Sequence, residues 1–203
     1  MIRSGFRSGK GALAGAFGIK DLRVVAGRVR ASDDALQIVP TDGGERGRER
    51  RVTGTPEELW MRAALAMGEE ARRRGEVPVG AVIVRGDAII GQGFNRPIES
   101  HDATAHAEIV AIRDAGGRLG NYRLGGATMY VTIEPCQMCV GAMIHARIER
   151  VVYGTREPKA GAIESAMRAH EHPAVNHRLA ATGGVLEAEC RALMQEFFKT
   201  RRT

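Results

Sequence analysis

Long apolar runs are absent, and cysteine is scarce. No stretch of about 18 consecutive apolar residues occurs in the 203-residue chain, so the sequence predicts no transmembrane helix. The three cysteines are Cys136, Cys139 and Cys190, and an odd number that includes one close pair does not fit a disulfide framework. This usage favours a metal-binding or redox role in a reducing compartment.

The amino-terminal region lacks the features of a secretory signal. Residues 1–20 contain no acidic residue, but glycines interrupt the apolar stretch 13–19, and no small-residue cleavage site stands out. The cysteine usage leads us to expect a cytoplasmic protein, although an organellar transit peptide, which is also basic, stays open. Charge and glycine dominate residues 41–51, so residues 1–55 are expected to be a poorly ordered extension with at most a short strand pair within 22–39.

The balance of charge is basic. Lysine and arginine number 30 against 24 acidic residues, which gives a formal net charge of +6. Such an excess suits a polyanionic partner such as a nucleic acid. A basic surface that only improves solubility explains the charge equally well, so charge by itself does not decide between the two.

Regular patterns begin near residue 55 and define a second segment, 56–203. Thr55, Pro56 and Glu58 form a helix start with a capping box, and Gly75 is expected to end this helix. Strands are predicted at 77–84, 88–94, 127–133, 148–154 and 184–186, and further helices at 104–115, 136–146, 162–169 and 186–202. We expect the glycine pair 116–117 to stop the second helix. Alternating strands and helices predict an α/β fold with helices on both faces of one sheet.

Two short motifs carry the candidate chemistry. Cys136 and Cys139 form a C-x-x-C pair after Pro135, at the predicted start of a helix. Helix-end N–H groups lower thiol pKa values, and His106, at another predicted helix start, adds an imidazole. Zinc accepts this mixture of ligands, and three protein ligands leave a fourth position for water. Glu108, two residues after His106, is then a candidate proton carrier beside a water that zinc acidifies.

Other uses of the same residues compete with a catalytic site. A structural zinc site would need a fourth ligand, such as His101 or Cys190, and would give Glu108 no role. The two close cysteines could instead be a redox pair, although no other thioredoxin-like feature accompanies them. Cys190 lies between apolar positions of a predicted helix and is expected to be a small core residue.

The combination H-x-E followed by P-C-x-x-C resembles the zinc nucleobase deaminases. Within that group the sequence is similar to the bacterial tRNA-specific adenosine deaminases, and the likeness extends almost without gaps over residues 57–202. The segments that carry it are 76–82, 93–97, 101–108, 121–124, 131–136, 141–148, 172–173, 176–178 and 197–202. The resemblance implies a cytidine-deaminase-like, three-layer α/β/α sandwich with a central mixed sheet of about five strands, commonly a homodimer.

The resemblance also implies roles for individual residues. One Zn²⁺ per subunit would be held by His106, Cys136 and Cys139, with Glu108 as the proton shuttle. The substrate would be the wobble adenosine of a tRNA anticodon stem-loop, in particular that of a tRNA-Arg. The expected substrate-binding residues are Asn95, Ala107, Glu157, Lys159, Phe198, Arg201 and Arg202. Residues 56–203 would thus be a zinc-dependent deaminase domain without membrane contact.

Two other functions stay open at this stage. A deaminase of a free base or nucleotide, such as guanine, cytosine or dCMP, would share the four metal-site residues but would not need the basic tail 197–202. A noncatalytic RNA-binding module that keeps zinc for structure would be expected to lack Glu108, which is present.

Overall fold

The computed structural model describes residues 54–201 and three short segments before them. Those segments are strands β1 (Leu22–Val24), β2 (Gly27–Ser32) and β3 (Ala35–Val39), which form an antiparallel sheet in the order β1-β2-β3. Three strands therefore stand where the sequence predicts at most a pair. Apart from residues 54 and 55, the rest of the predicted extension lies outside the described part of the chain, so its poor order stays a prediction.

The main sheet has five strands in the order β5-β4-β6-β7-β8. Strand β4 pairs antiparallel with both β5 and β6, whereas β6–β7 and β7–β8 are parallel, so the sheet is mixed as expected. The strands are β4 (Gly80–Arg85), β5 (Ala88–Phe94), β6 (Thr128–Ile133), β7 (Arg150–Thr155) and β8 (Ala180–Thr182). The helices are α1 (Pro56–Arg73), α2 (Pro97–Ser100), α3 (Ala107–Leu119), α4 (Gln137–His145) and α5 (Glu187–Thr200).

Helices cover both faces of the sheet, and alternating strand residues supply the two cores. Val82 and Val152 face a cluster with α1, which includes Trp60 and Met67. Ile83 and the intervening strand residues face a second cluster with α3 and α4. Helix α5 packs on the α1 side, against β7. The three-layer α/β/α sandwich implied by the resemblance is confirmed.

The first helix follows its sequence signals closely. Thr55 accepts a hydrogen bond from the Glu58 backbone, and the Glu58 carboxylate accepts one in return from the Thr55 N–H, so the capping box forms. The helix ends before Gly75, whose φ is 76°. The β4–β5 hairpin also forms, with Gly86 at φ 60° in its turn.

Two predicted elements and the predicted end of one helix are wrong. Helix α3 continues through Gly116 and Gly117 to Leu119 and ends at Gly120, which adopts a left-handed conformation with φ 59°. Residues 162–169 form turns rather than a helix, followed by a 3-10 turn at Ala169–Glu171. The last strand is Ala180–Thr182 rather than 184–186.

Helix α3 approaches the sheet closely because strand β5 presents glycine to it. A Cβ added at Gly91 would lie 2.5 Å from the Ala111 carbonyl oxygen, and one at Gly93 would lie 2.5 Å from the Ala107 carbonyl oxygen. Small residues on the facing side of α3 complete the fit, since both alanines are fully buried. This contact fixes the amino terminus of α3, where the candidate ligand His106 lies.

We expect Gly91→Ala to lower the free energy of unfolding by about 1–3 kcal/mol, because the new methyl group overlaps helix backbone that cannot move cheaply. Gly117→Ala is the matched control: no atom lies within 4 Å of its added Cβ. Since it replaces glycine inside a helix, it should stabilise the protein by about 0.5–1 kcal/mol. Urea unfolding measures both values. Equal effects of the two substitutions would contradict the close approach of α3 to β5.

Among the described residues, which are 54–201 and the three short strands before them, no helix is long and apolar enough to span a bilayer.

Candidate active site

The candidate metal ligands lie at the amino termini of two helices in the same layer. His106 is the residue immediately before α3, and Cys136 the residue immediately before α4. Both have extended backbone, with ψ of 154° and 171°, so their side chains leave the helix axis and turn toward each other. Cys139 follows in the first turn of α4 and is fully buried. The resulting cluster lies beyond the carboxyl end of β6.

The three ligand atoms form a nearly equilateral triangle. His106 Nδ1 lies 3.6 Å from the Sγ atom of Cys136 and 3.6 Å from that of Cys139, and the two sulfurs are 3.7 Å apart. A tetrahedron with Zn–S bonds of about 2.3 Å and Zn–N bonds of about 2.0–2.1 Å has S···S and S···N edges of about 3.8 and 3.5 Å. The donor set and its spacing therefore fit a zinc ion. Within the described part of the chain no other cluster of metal-ligating residues meets the same spacing.

The loop before α3 fixes the position of His106. His101 adopts a left-handed conformation, with φ 51°, and starts the turn. The Asp102 carboxylate accepts hydrogen bonds from the backbone and hydroxyl of Thr104 and pairs with Arg113 at 3.1 Å. The Thr104 contacts, followed by that with Arg113, lower the pKa of Asp102 to about 2. Because this loop is tied to α3 itself, the His106 side chain starts from an ordered backbone.

The pKa values of the two cysteine thiols shift in opposite directions. A hydrogen bond from Cys139, stronger than the opposing effect of burial, lowers the pKa of Cys136 to about 4 with further help from His106. The same hydrogen bond and burial raise the pKa of the Cys139 thiol. The hydrogen bond with Cys136 raises the pKa of His106. A divalent cation among them would favour thiolate in both cysteines, as metal ligation requires.

Glu108 lies beside the ligands without completing their triangle. It occupies the first turn of α3 and is 3% exposed. Burial raises the pKa of its carboxyl, more than a backbone hydrogen bond lowers it, and its side chain contacts the Cys139 thiol. A buried carboxyl with a raised pKa next to a cation site suits a group that takes up and releases a proton.

Asn95 follows β5 and contacts the first turn of α3 beside His106. Its side-chain oxygen accepts a hydrogen bond of 2.8 Å from the backbone N–H of Ala107, the first residue of α3. Both residues are buried. With the oxygen engaged, the NH₂ group is the part of Asn95 that is left to meet a substrate.

The other predicted substrate-binding residues are dispersed. Glu157 and Lys159 lie in the loop after β7, where the Glu157 carboxylate accepts a hydrogen bond from the Lys159 backbone at 3.0 Å. Phe198 is 43% exposed on α5, while its neighbour Phe197 is buried. Arg201 donates to the Gly75 carbonyl and stacks on Phe197 at 4.4 Å, so its guanidinium is engaged within the chain. Arg202 lies outside the described residues.

The prediction of a helical tail is confirmed, but α5 belongs to the layer on the α1 side of the sheet. The metal ligands lie at the helices of the opposite layer. Phe198 and Arg201 therefore do not join the ligand cluster itself. Cys190 is fully buried against Gly154 on β7, which agrees with the expected core role.

Glu134 is the polar residue that the sequence interpretation missed. It follows β6, two residues before Cys136, and is 2% exposed. Burial raises the pKa of its carboxyl, but hydrogen bonds from Glu164, Ser165 and Glu157 together lower it below its ordinary value. The signal in the sequence was a single acidic residue at the end of an apolar strand, which by itself does not reveal its partners.

Comparison with known proteins assigns this architecture to a family. Residues 55–155 match the cytidine and deoxycytidylate deaminase zinc-binding region. The chain is 47% identical over 154 residues to the tRNA-specific adenosine deaminase of Haemophilus influenzae, covering 75% of this chain and 88% of the relative. The enzyme of the same name from Bacillus subtilis is 40% identical over 148 residues, covering 73% and 92%.

Solved structures agree with this assignment. One, from a study of A-to-I editing by tRNA:A34 deaminases at the wobble position of transfer RNA, has a TM-score of 0.65 and 44% identity, covering 66% of this chain and 98% of that one. The guanine deaminase of Nitrosomonas europaea has a TM-score of 0.59 and 25% identity, covering 73% and 87%. The chain therefore belongs to the zinc-binding cytidine and deoxycytidylate deaminase family, and within it to the group that includes the tRNA-specific adenosine deaminases.

Proposed function

We propose that the protein hydrolytically deaminates adenosine to inosine at the wobble position of a tRNA anticodon. The observation that carries the proposal is the triangle of one imidazole and two thiols, with the buried Glu108 carboxyl beside it. The identities of 40–47% to tRNA-specific adenosine deaminases support the choice of substrate. The basic net charge of +6 is consistent with an RNA partner.

His106, Cys136 and Cys139 would hold one Zn²⁺ per chain. When bound, zinc supplies a water whose pKa falls from about 15.7 to about 7. The residues present fit the ion because three soft or borderline donors stand at tetrahedral spacing around one point. A structural role would require a fourth protein ligand, and neither His101 nor Cys190 joins the described cluster.

Glu108 would move the protons of the reaction. Its carboxylate takes a proton from the attacking water and delivers it to N1 of adenine as oxygen bonds to C6. It then carries a second proton to the amino group, which leaves C6 as ammonia. Water and adenosine are thus converted to ammonia and inosine without any further reactant. Burial suits the first step because a carboxylate with a raised pKa takes up the proton of the attacking water more readily.

Asn95 and Ala107 would position the flipped base. The Asn95 oxygen is tied to the amino terminus of α3, so its NH₂ group is held in one direction before substrate arrives. An adenine in a single-stranded loop can enter such a pocket because unstacking it there is inexpensive.

We expect Asn95→Asp to lower kcat/KM on the RNA substrate by about 10–100-fold, the effect of losing one buried hydrogen-bond donor. Aspartate still accepts from the Ala107 N–H, so the fold and zinc content should be retained. Steady-state kinetics and metal analysis measure the two effects. An unchanged kcat/KM would contradict a substrate contact by Asn95.

Contacts with the anticodon loop would involve Glu157, Lys159, Phe198, Arg201 and Arg202. Phe198 has the exposed ring that stacking on a base requires, and Lys159 is exposed in the loop after β7. Arg201 would have to leave Gly75 and Phe197 to reach a phosphate. We further propose that a tRNA-Arg is the substrate, that the enzyme acts as a cytoplasmic homodimer, and that residues 56–203 form the deaminase domain apart from an extension of residues 1–55.

The test is inosine formation on a synthetic tRNA-Arg anticodon stem-loop with adenosine at the wobble position, beside free adenosine, cytosine, guanine and dCMP. Nucleoside analysis should find inosine in the stem-loop and no product from the small substrates. Ammonia from a free base, with an unchanged stem-loop, would keep the zinc chemistry and overturn the substrate. A zinc-loaded but inert protein would favour the noncatalytic RNA-binding module.

A deaminase of free bases is the second candidate, and the fold shared with guanine deaminase favours it over unrelated functions. The identity of 25% to that enzyme is well below the 44–47% to the tRNA enzymes, which is why the RNA substrate is preferred.

A further inference from the structure

We propose that Glu134 is a positioning residue: its buried carboxylate clamps the 157–165 loop against the metal-ligand segment and so holds the RNA-binding edge of the site in place. The proposal rests on the proposed function for its kinetic consequence, while the clamp itself rests on geometry. The proposed chemistry at the zinc site does not require Glu134, yet this residue is almost completely removed from solvent.

The carboxylate accepts hydrogen bonds from five donors. Oε1 accepts from three successive backbone N–H groups, those of Ile163, Glu164 and Ser165, at 3.0, 2.8 and 3.0 Å. Oε2 accepts from the Glu157 N–H at 3.2 Å and from the Ser165 hydroxyl. Successive N–H groups that converge on one point form an anion-binding concavity, which here is filled by the chain's own carboxylate.

These donors come from both ends of the same loop. Glu157 lies at the start of the loop, and residues 163–165 lie at its end. The Glu134 side chain therefore holds both ends of the loop. Between them, the backbone of Gly161 forms an antiparallel bridge with Cys136, and the Ala162 N–H donates to the Pro135 carbonyl at 2.8 Å. The loop that carries Glu157 and Lys159 is thus laid directly along the segment that carries a metal ligand.

Only a carboxylate satisfies all the donors together. A glutamine at position 134 would keep one oxygen, but its NH₂ group would face either the three N–H groups or the Glu157 N–H, so a donor would meet a donor. Hydrogen bonds from N–H groups to a charged oxygen are also about twice as strong as those to a neutral one. Loss of the charge should therefore release the loop without removing the side chain.

Gly161 supplies an independent way to open the clamp. A Cβ added there would lie 2.4 Å from both Cδ and Oε2 of Glu134. Gly161→Ala therefore pushes the loop away from an unchanged carboxylate. If Gly161→Ala and Glu134→Gln change loop exchange and KM in the same way, the contact between the two residues is the cause, rather than either residue alone.

The experiment measures hydrogen exchange of residues 157–165, zinc content and steady-state kinetics on the stem-loop for the parent, Glu134→Gln and Gly161→Ala. Both variants should exchange this loop at least about 10-fold faster while keeping zinc. Their KM should rise about 10-fold with kcat within about threefold, because the loop contributes binding that substrate and transition state share. A general loss of stability would instead lower the active fraction and leave KM unchanged.

Glu70→Gln is the matched control, since Glu70 is also a buried carboxylate but pairs with Arg73 and Arg74 on α1. It should leave loop exchange and KM unchanged. Normal loop protection in Glu134→Gln, loss of its zinc, or a fall in kcat without a change in KM would each overturn the proposal. If Glu134→Gln does not fold, the same three outcomes in Gly161→Ala would overturn the proposal. A parent enzyme inactive on the stem-loop would refute the proposed function, while the exchange data would still test the clamp.

Discussion

Glu108→Gln is expected to lower kcat by about 10²–10⁴-fold, the usual contribution of a positioned acid–base group. Glutamine has nearly the same shape and also fits a buried site, but it cannot take up a proton from water. Zinc content should stay at one ion per chain, because Glu108 is not part of the ligand triangle. The assay is single-turnover inosine formation on the stem-loop with metal analysis of the same sample.

Two comparisons sharpen this result. Glu70→Gln removes another largely buried carboxylate, on α1, and should leave kcat unchanged. Glu108→Ala should resemble Glu108→Gln in rate, since both lack the ionisable group. Activity of Glu108→Gln within about threefold of the parent would contradict the proton-shuttle role.

Cys139→Ala is expected to abolish both zinc binding and activity. The substitution removes the fully buried one of the three donors, and an alanine methyl group offers no lone pair in return. Zinc that binds only the folded chain, at a thousandfold excess over its Kd, would add about 4 kcal/mol to the free energy of unfolding. A chelator should therefore lower the Tm of the parent and leave that of Cys139→Ala unchanged.

Cys190→Ala is the matched control for cysteine loss. Cys190 is as deeply buried as Cys139, but it packs against Gly154 between α5 and the sheet. This variant should keep zinc, activity and the chelator-dependent shift in Tm, with only a lower free energy of unfolding. Zinc retention by Cys139→Ala, measured by metal analysis after dialysis, would contradict the ligand assignment.

Short-range sequence signals predicted those helices and strands whose ends depend on neighbouring residues. The Thr55 capping box predicted the start of α1, and the Gly86 turn predicted the adjoining ends of β4 and β5, each within about one residue of the observed bounds. The ligand cluster could also be predicted, because His106 and the cysteine pair each occupy a helix start whose sequence signals are short-range. The alternation of strands with helices then predicted the α/β layers, whereas the mixed sheet was expected from the family resemblance alone.

The errors arise where distant groups compete with local preference. Residues 162–169 favour a helix in isolation, yet the N–H groups of Ile163, Glu164 and Ser165 donate to the Glu134 carboxylate instead of to a helical turn. Those partners are 29 to 31 residues apart in sequence, so no local pattern reveals them. At the end of α3, Gly116 and Gly117 are tolerated, and the left-handed turn occurs only at Gly120.

The most direct test of a hydrolytic adenosine deaminase is turnover of the stem-loop in heavy-oxygen water, followed by mass spectrometry of the released nucleosides. The account predicts that the wobble adenosine becomes inosine carrying one heavy oxygen at C6, with one ammonia released for each inosine, and that Glu108→Gln forms almost none. An unlabelled product, or an unchanged stem-loop beside a deaminated free base, would contradict it.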